Sequence, residues 1–161
     1  MRQKTTYERG KFKTEIHSAL YKSENIRDLL LENLDLKSSK KVREAFQNHV
    51  QSHLFVDDTI EETGSFIFYD VYFPSLRENI KSCQVVMYAI CHRDILETYI
   101  KEGFYGNRAD ILCQMIEDCL INDENVANSF GIGRLSLDSI EIYNSRRFYG
   151  SILYFSVPNF R

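Results

Sequence analysis

The chain has no tryptophan, no strong excess of either charge and no long apolar run. Its longest apolar stretch, Val85–Cys91, falls far short of the roughly 20 residues a membrane-spanning helix needs. Met1 to Lys13 is basic, but no apolar segment follows, so a signal peptide is not expected and the chain is expected to be soluble. A formal net charge of −3 over 161 residues argues against a basic nucleic-acid binder. Catalytic signatures are equally scarce. Without G-x-S-x-G there is no nucleophile elbow, and the glycine-rich nucleotide loop is missing. There is no C-x-x-C pair, and the four cysteines, Cys83, Cys91, Cys113 and Cys119, fall inside predicted strand and helix. That placement suits buried free thiols of a reducing compartment better than a disulfide scaffold.

Partial motifs dissolve on inspection. His92-Arg93-Asp94 copies the start of a kinase catalytic loop, but Tyr99 stands where its asparagine belongs and no D-F-G follows. Gly131-Ile-Gly133 lacks the third glycine of a dinucleotide fingerprint, Ser136 taking its place, and reads as turn glycines before a strand. His49 and His53 stand four apart on a predicted helix, yet no glutamate follows His49 as H-E-x-x-H requires. Cys91-His92 could meet Cys113 around a metal only through tertiary coincidence. The carboxylates of Asp57-Asp58 and Glu61-Glu62 read as a solvated loop. No catalytic, cofactor-binding or metal-ligating residue is therefore expected.

What the chain has in quantity is aromatic surface, with 11 Phe and 10 Tyr. Such residues bury large areas and also favour interfaces. At 43% hydrophobic and 27% charged, the composition is that of a globular chain. The length predicts one domain, residues 1–161, with a flexible N-terminus over 1–11 and a folded part over 12–160.

Apolar steps of three and four from Phe12 through Ile16, Leu20, Ile26, Leu29, Leu30 and Leu34 predict a helix over about 12–33, with Ser23 available to cap a second segment. After the polar Lys37–Lys41, Ser39 could cap a short helix carrying Val42, Phe46 and Val50. SFIFYDVYF, 65–73, is predicted as a strand apolar on both faces and ended by Pro74-Ser75. A second strand covers about 80–92. The next helix, 108–121, places Ala109, Leu112, Met115, Ile116, Cys119 and Leu120 on one side, with Asn107 as its cap and Asp110 in its first turn. After a polar link, 122–128, strands over 131–143 and 147–157 form a hairpin around Asn144-Ser145-Arg146, and Pro158 ends the last. The order predicts an α+β domain: a largely antiparallel four-stranded sheet with the N-terminal helix and a central amphipathic helix on one face.

That order resembles the small neck and tail-completion proteins of tailed bacteriophages, in particular the tail terminators. The resemblance spans about Phe12 to Phe160. It rests on an IHSALYKSENIRDLLLEN-type helix, the strand pair FIFYDVYF and IKSCQVVMYAICH, the helix GNRADILCQMIEDCL, and a last strand pair ending YGSILYFSVPNF. Local markers are His92 at a strand end, Arg108-Ala-Asp110 opening the helix, and Tyr149-Gly150 opening the final strand. The 40–63 insert departs from the pattern. The resemblance implies a non-enzymatic virion protein, made in the bacterial cytoplasm, that forms a ring, usually a hexamer, on the tail tube. Implied partners are other copies of the chain, the tail tube protein, a neck connector or head-completion protein, and a sheath protein where the tail is contractile. No cofactor, membrane or sequence-specific nucleic acid is implied. Alternatives are a head-completion or connector ring of the same neck, and a small cytosolic α+β enzyme or ligand-binding domain. Charged residues at element ends, Arg93, Asp94, Arg108, Asp110, Arg134, Arg146 and Arg147, are expected at inter-subunit or partner contacts. Phe66, Phe68 and Tyr72 on one strand face join them.

Overall fold

A computed structural model describes residues 5–32, 34–54, 60, 62–77, 80–128 and 134–160; for 75–77, 80–81 and 158–160 it describes the backbone alone. Asp57-Asp58, Glu61 and Gly131-Ile-Gly133 lie outside these residues.

The chain opens with α1 (Thr5–Lys22), which begins well before Phe12 and so takes in much of the segment expected to be flexible. Arg9 anchors these first turns, its Nε donating to Val71 O and its Nη2 to Asp70 Oδ1, both at 2.9 Å. The expected long helix is two. Ser23 interrupts it, and its hydroxyl accepts the Ile26 amide at the start of α2 (Glu24–Leu30). α3 (Ser39–His49) is capped by Ser38, one residue before the predicted cap, and runs directly into β1 (Val50–Gln51).

β2 (Ser65–Arg77) and β3 (Ile80–His92) follow. Pro74 does not end β2, because the pairing shifts register between Tyr72 and Ser75 and the proline sits in that irregularity, where no ladder amide is needed. A 3-10 turn (Arg93–Ile95) and a loop lead to α4 (Arg108–Glu117), which continues through a π-helical turn, Asp118–Asn122, and a short α5 (Glu124–Ala127) in the predicted polar link. β4 (Ser136–Asn144) and β5 (Phe148–Phe160) close the chain as the predicted hairpin, and β5 passes through Pro158 instead of stopping there.

The fold is α+β, with a sheet in the order β1-β2-β3-β5-β4. The four long strands pair antiparallel as expected, but β1 adds a short parallel pairing, Val50 with Ile67 and Gln51 with Phe68, making a mixed five-stranded sheet. A two-residue strand is too short to leave a periodic signature. Helices α1, α2 and α4 cover one face. Ile16, Leu20, Ile26, Leu29, Leu112 and Met115 pack there on Ile67, Tyr69, Val85, Met87, Leu153 and Phe155. On the other face a smaller cluster, Phe66, Phe68, Ile90 and Phe148, is flanked by Ile60, Tyr88 and Tyr143. Gly150 sits where β3 and β5 approach closely, since a Cβ there would lie 2.0 Å from Ala89 O.

Candidate functional site

The residues expected at contacts divide sharply. Arg108, first residue of α4, is only 3% exposed. Its Nη2 meets Glu32 Oε2 at 2.9 Å and Leu29 O at 2.9 Å, its Nε donates to Ser65 Oγ at 2.9 Å, and its guanidinium lies 4.9 Å from the Tyr99 ring centre. Each of those partners is in its own chain, so Arg108 ties α2, β2 and α4 together instead of facing a neighbour. Phe66 and Phe68 are likewise buried, at 3% and 1% exposure, with His49 stacked on the Phe66 ring. These three leave the surface set because burial inside the subunit uses them.

Arg93, Arg146 and Arg147 are exposed and come together at one end of the sheet. The Arg93 side chain donates to Ser145 O and Asn144 Oδ1, its amide donates to Arg147 O, and Arg147 reaches Ile60 O. Asp94 is exposed, and its amide donates to His92 Nδ1 at 3.1 Å. The Asp94 carboxylate lies 3.7 Å from the same nitrogen. Asp110 is committed to capping: its carboxylate accepts the Asn107 amide while the Asn107 side chain accepts the Asp110 amide. Arg134 is not with the other arginines. It precedes the far end of β4, where it donates to Ile121 O and approaches Glu124. Tyr72 remains 40% exposed on the sheet face away from the helices.

Two surfaces escaped the sequence reading. The first is β4, an edge strand on which Ile140 and Ile142 are 58% and 72% exposed. They share the helix-side face with Leu153, the residue opposite Ile140, but lie beyond the helices. Their i, i+2 spacing was visible; that β4 would be an edge was not. The second is an open groove of about 650 Å³ between α1, α3 and β1, whose lining includes Lys13, His17, Tyr21, Arg43, Gln51 and His53. Arg27 and Arg43 stand 5.3 and 6.0 Å from the centre of the Tyr21 ring. Lys13 braces one wall, its ammonium 2.8 Å from both Ser52 O and the Asp70 carboxylate. Burial lowers the His17 pKa and favours its neutral form, and Arg43 is exposed on the groove wall.

His49 and His53 do not converge. His49 is buried, its Nδ1 donating to Ser65 O at 2.7 Å and its Nε2 lying 3.3 Å from Glu62, whereas His53 lines the groove. No group of three His, Cys, Asp or Glu side chains among the described residues could hold a metal. All four thiols are free, and burial pushes them up, Cys91 to about 11 and Cys83, Cys113 and Cys119 to about 12. Such thiols are poor nucleophiles at neutral pH.

A protein-family model described as YomW matches residues 14–157. No curated protein and no solved structure matches the chain.

Proposed function

We propose that this chain, which belongs to the YomW family, is a structural protein of a tailed-phage virion that forms a ring at the end of the tail tube, as a tail terminator. The family name is a Bacillus phage-associated one, which supports a phage origin. The observation that carries the ring reading is β4. A nine-residue edge strand with two exposed isoleucines on one face is a surface suited to pairing or packing with another chain. An assembly role uses that surface; a monomeric enzyme has no need of it.

In this reading the exposed arginines at the hairpin end, Arg93, Arg146 and Arg147, face the adjoining neck components. The sheet face opposite α1, α2 and α4, with Tyr72, Tyr88 and Tyr154 in adjacent strands, supplies further contact area. Native mass spectrometry of purified tails or particles tests the proposal through a single ring copy number, expected to be six. Twelve copies would move the protein to the connector. One copy per particle, or none, would overturn the structural-ring reading.

A further inference from the structure

We infer that the cationic groove between α1 and α3 receives β4 of a neighbouring copy, so that opposite edges of one sheet form the contact repeated around the ring. This rests on the ring reading above and names the contact that would build it. Three observations converge. First, β1, which lines the groove, and β4 are the two terminal strands of the sheet, so groove and exposed strand lie at opposite edges of each subunit.

Second, the charges are complementary. Among the described residues no Asp or Glu lines the groove; its exposed cation is Arg43, with Arg27 on the Tyr21 ring beside it, whereas Asp70 offsets Lys13. β4, Ser136–Asn144, contains Asp138 and Glu141 and neither lysine nor arginine. Third, the apolar parts match. Ile140 and Ile142 are exposed on the helix-side face of β4, Glu141 between them turning to the other face to accept from the Tyr154 hydroxyl, and the groove offers the half-buried Tyr21 ring beside Arg43, with Val50 and Tyr69 buried in its floor. Both halves are present on every copy and differ from each other, so the contact is heterologous. Repeated with a rotation that closes, it makes a ring and leaves neither half uncovered. A foreign acidic peptide or a small anion would fill the groove but leave β4 bare.

Two variants separate the halves. Ile140→Lys/Ile142→Lys spoils β4 and keeps the groove; Arg43→Glu spoils the groove and keeps β4. All three positions are exposed, and circular dichroism checks that both chains fold; Ile140→Thr/Ile142→Thr and Arg43→Gln replace any that does not. The β4 variant, labelled with ¹⁵N, is titrated with the unlabelled groove variant. Expected are saturating amide shifts at Thr14, His17, Gln47 and Ser52, with a one-to-one dimer by sedimentation. Each variant alone should associate at least about tenfold more weakly than the mixture, since like charges at a contact cost several kcal/mol.

No groove shifts in the mixture at the highest attainable concentration would overturn the inference. Groove shifts with citrate and none with the second copy would also overturn it, assigning the groove to a small anion. Copy number in particles is read separately. A ring without groove shifts sinks this contact and leaves the ring reading standing, whereas groove shifts without a ring keep the contact and sink the terminator reading.

Discussion

Single residues carry both the fold and the clearest correction to the sequence reading. Arg108 begins a helix beside Asp110, a position that reads as surface in one dimension, yet the structure spends its guanidinium on Glu32, Leu29 O, Ser65 Oγ and the Tyr99 ring. Arg108→Ala would leave those acceptors without their donor and should lower stability by about 3 kcal/mol in urea unfolding. That is the low end for breaking a buried pair, because Glu32 can be rehydrated. Arg147→Glu, at an exposed site, should stay within about 0.5 kcal/mol of wild type. Equal losses at the two sites would mean that the buried Arg108 ties the fold no more than the exposed Arg147 does. Asp70 gives a pH signature. Burial by itself would raise its pKa, but hydrogen bonds from Lys13, the Val71 amide and Arg9 outweigh it and hold the carboxyl below its ordinary value. A folded-state pKa lower than the unfolded one stabilises the fold above the unfolded value, about 3.9 for Asp. The contribution is lost as pH falls through the folded-state value. The stability gap between wild type and Asp70→Asn should therefore be full at neutral pH and shrink below about pH 4. A gap that does not change with pH would mean the carboxylate charge is not what docks α1.

Elements show where local chemistry suffices. α4 was legible because its apolar residues recur at helical spacing and its cap is spelled out by Asn107 and Asp110. The observed reciprocal bonds, both 3.0 Å, complete a capping box. Gly106 leads into it with φ +98°, and a Cβ there would lie 2.6 Å from Asp110 Oδ2, so this entry needs glycine on both counts. Asn107→Ala should lower stability by about 1 kcal/mol, measured by thermal or urea unfolding. No loss would mean the box is replaced by water or by another donor. The strands were equally legible in position, less so at their ends. Each proline predicts a strand end, yet both β2 and β5 run past them. For Pro74 the register shift after Tyr72 removes the demand for a ladder amide. The start of α1 at Thr5 is hidden from the local pattern for a different reason. Its first turns are polar, and what holds them is Arg9, bonded to a strand 61 and 62 residues away in sequence. No local pattern encodes that.

At the scale of the molecule, one buried cluster joins α1, α2 and α4 to β2, β3 and β5. Helices and sheet should therefore unfold together. Far-UV circular dichroism and tyrosine fluorescence, usable because the chain lacks tryptophan, should give coincident urea transitions. Separate midpoints would show that the N-terminal helices dock on a sheet that is stable without them.

By itself the sequence determined the class, the order of the long elements, the central strands and the face of α4 that packs inward. These follow from periodicity, β-propensity and capping residues, all short-range. Tertiary structure decided the rest. Pairing β4 with β5 and with nothing beyond it made an edge of β4 and exposed Ile140 and Ile142. Bringing α3 beside α1 created a groove from residues about thirty positions apart, Lys13 and Arg43 among them. Folding Phe66, Phe68 and Arg108 inward removed three expected contacts from the surface. In each case the deciding quantity is which segments become neighbours. That is set by how the whole core packs, and no single stretch of sequence carries it.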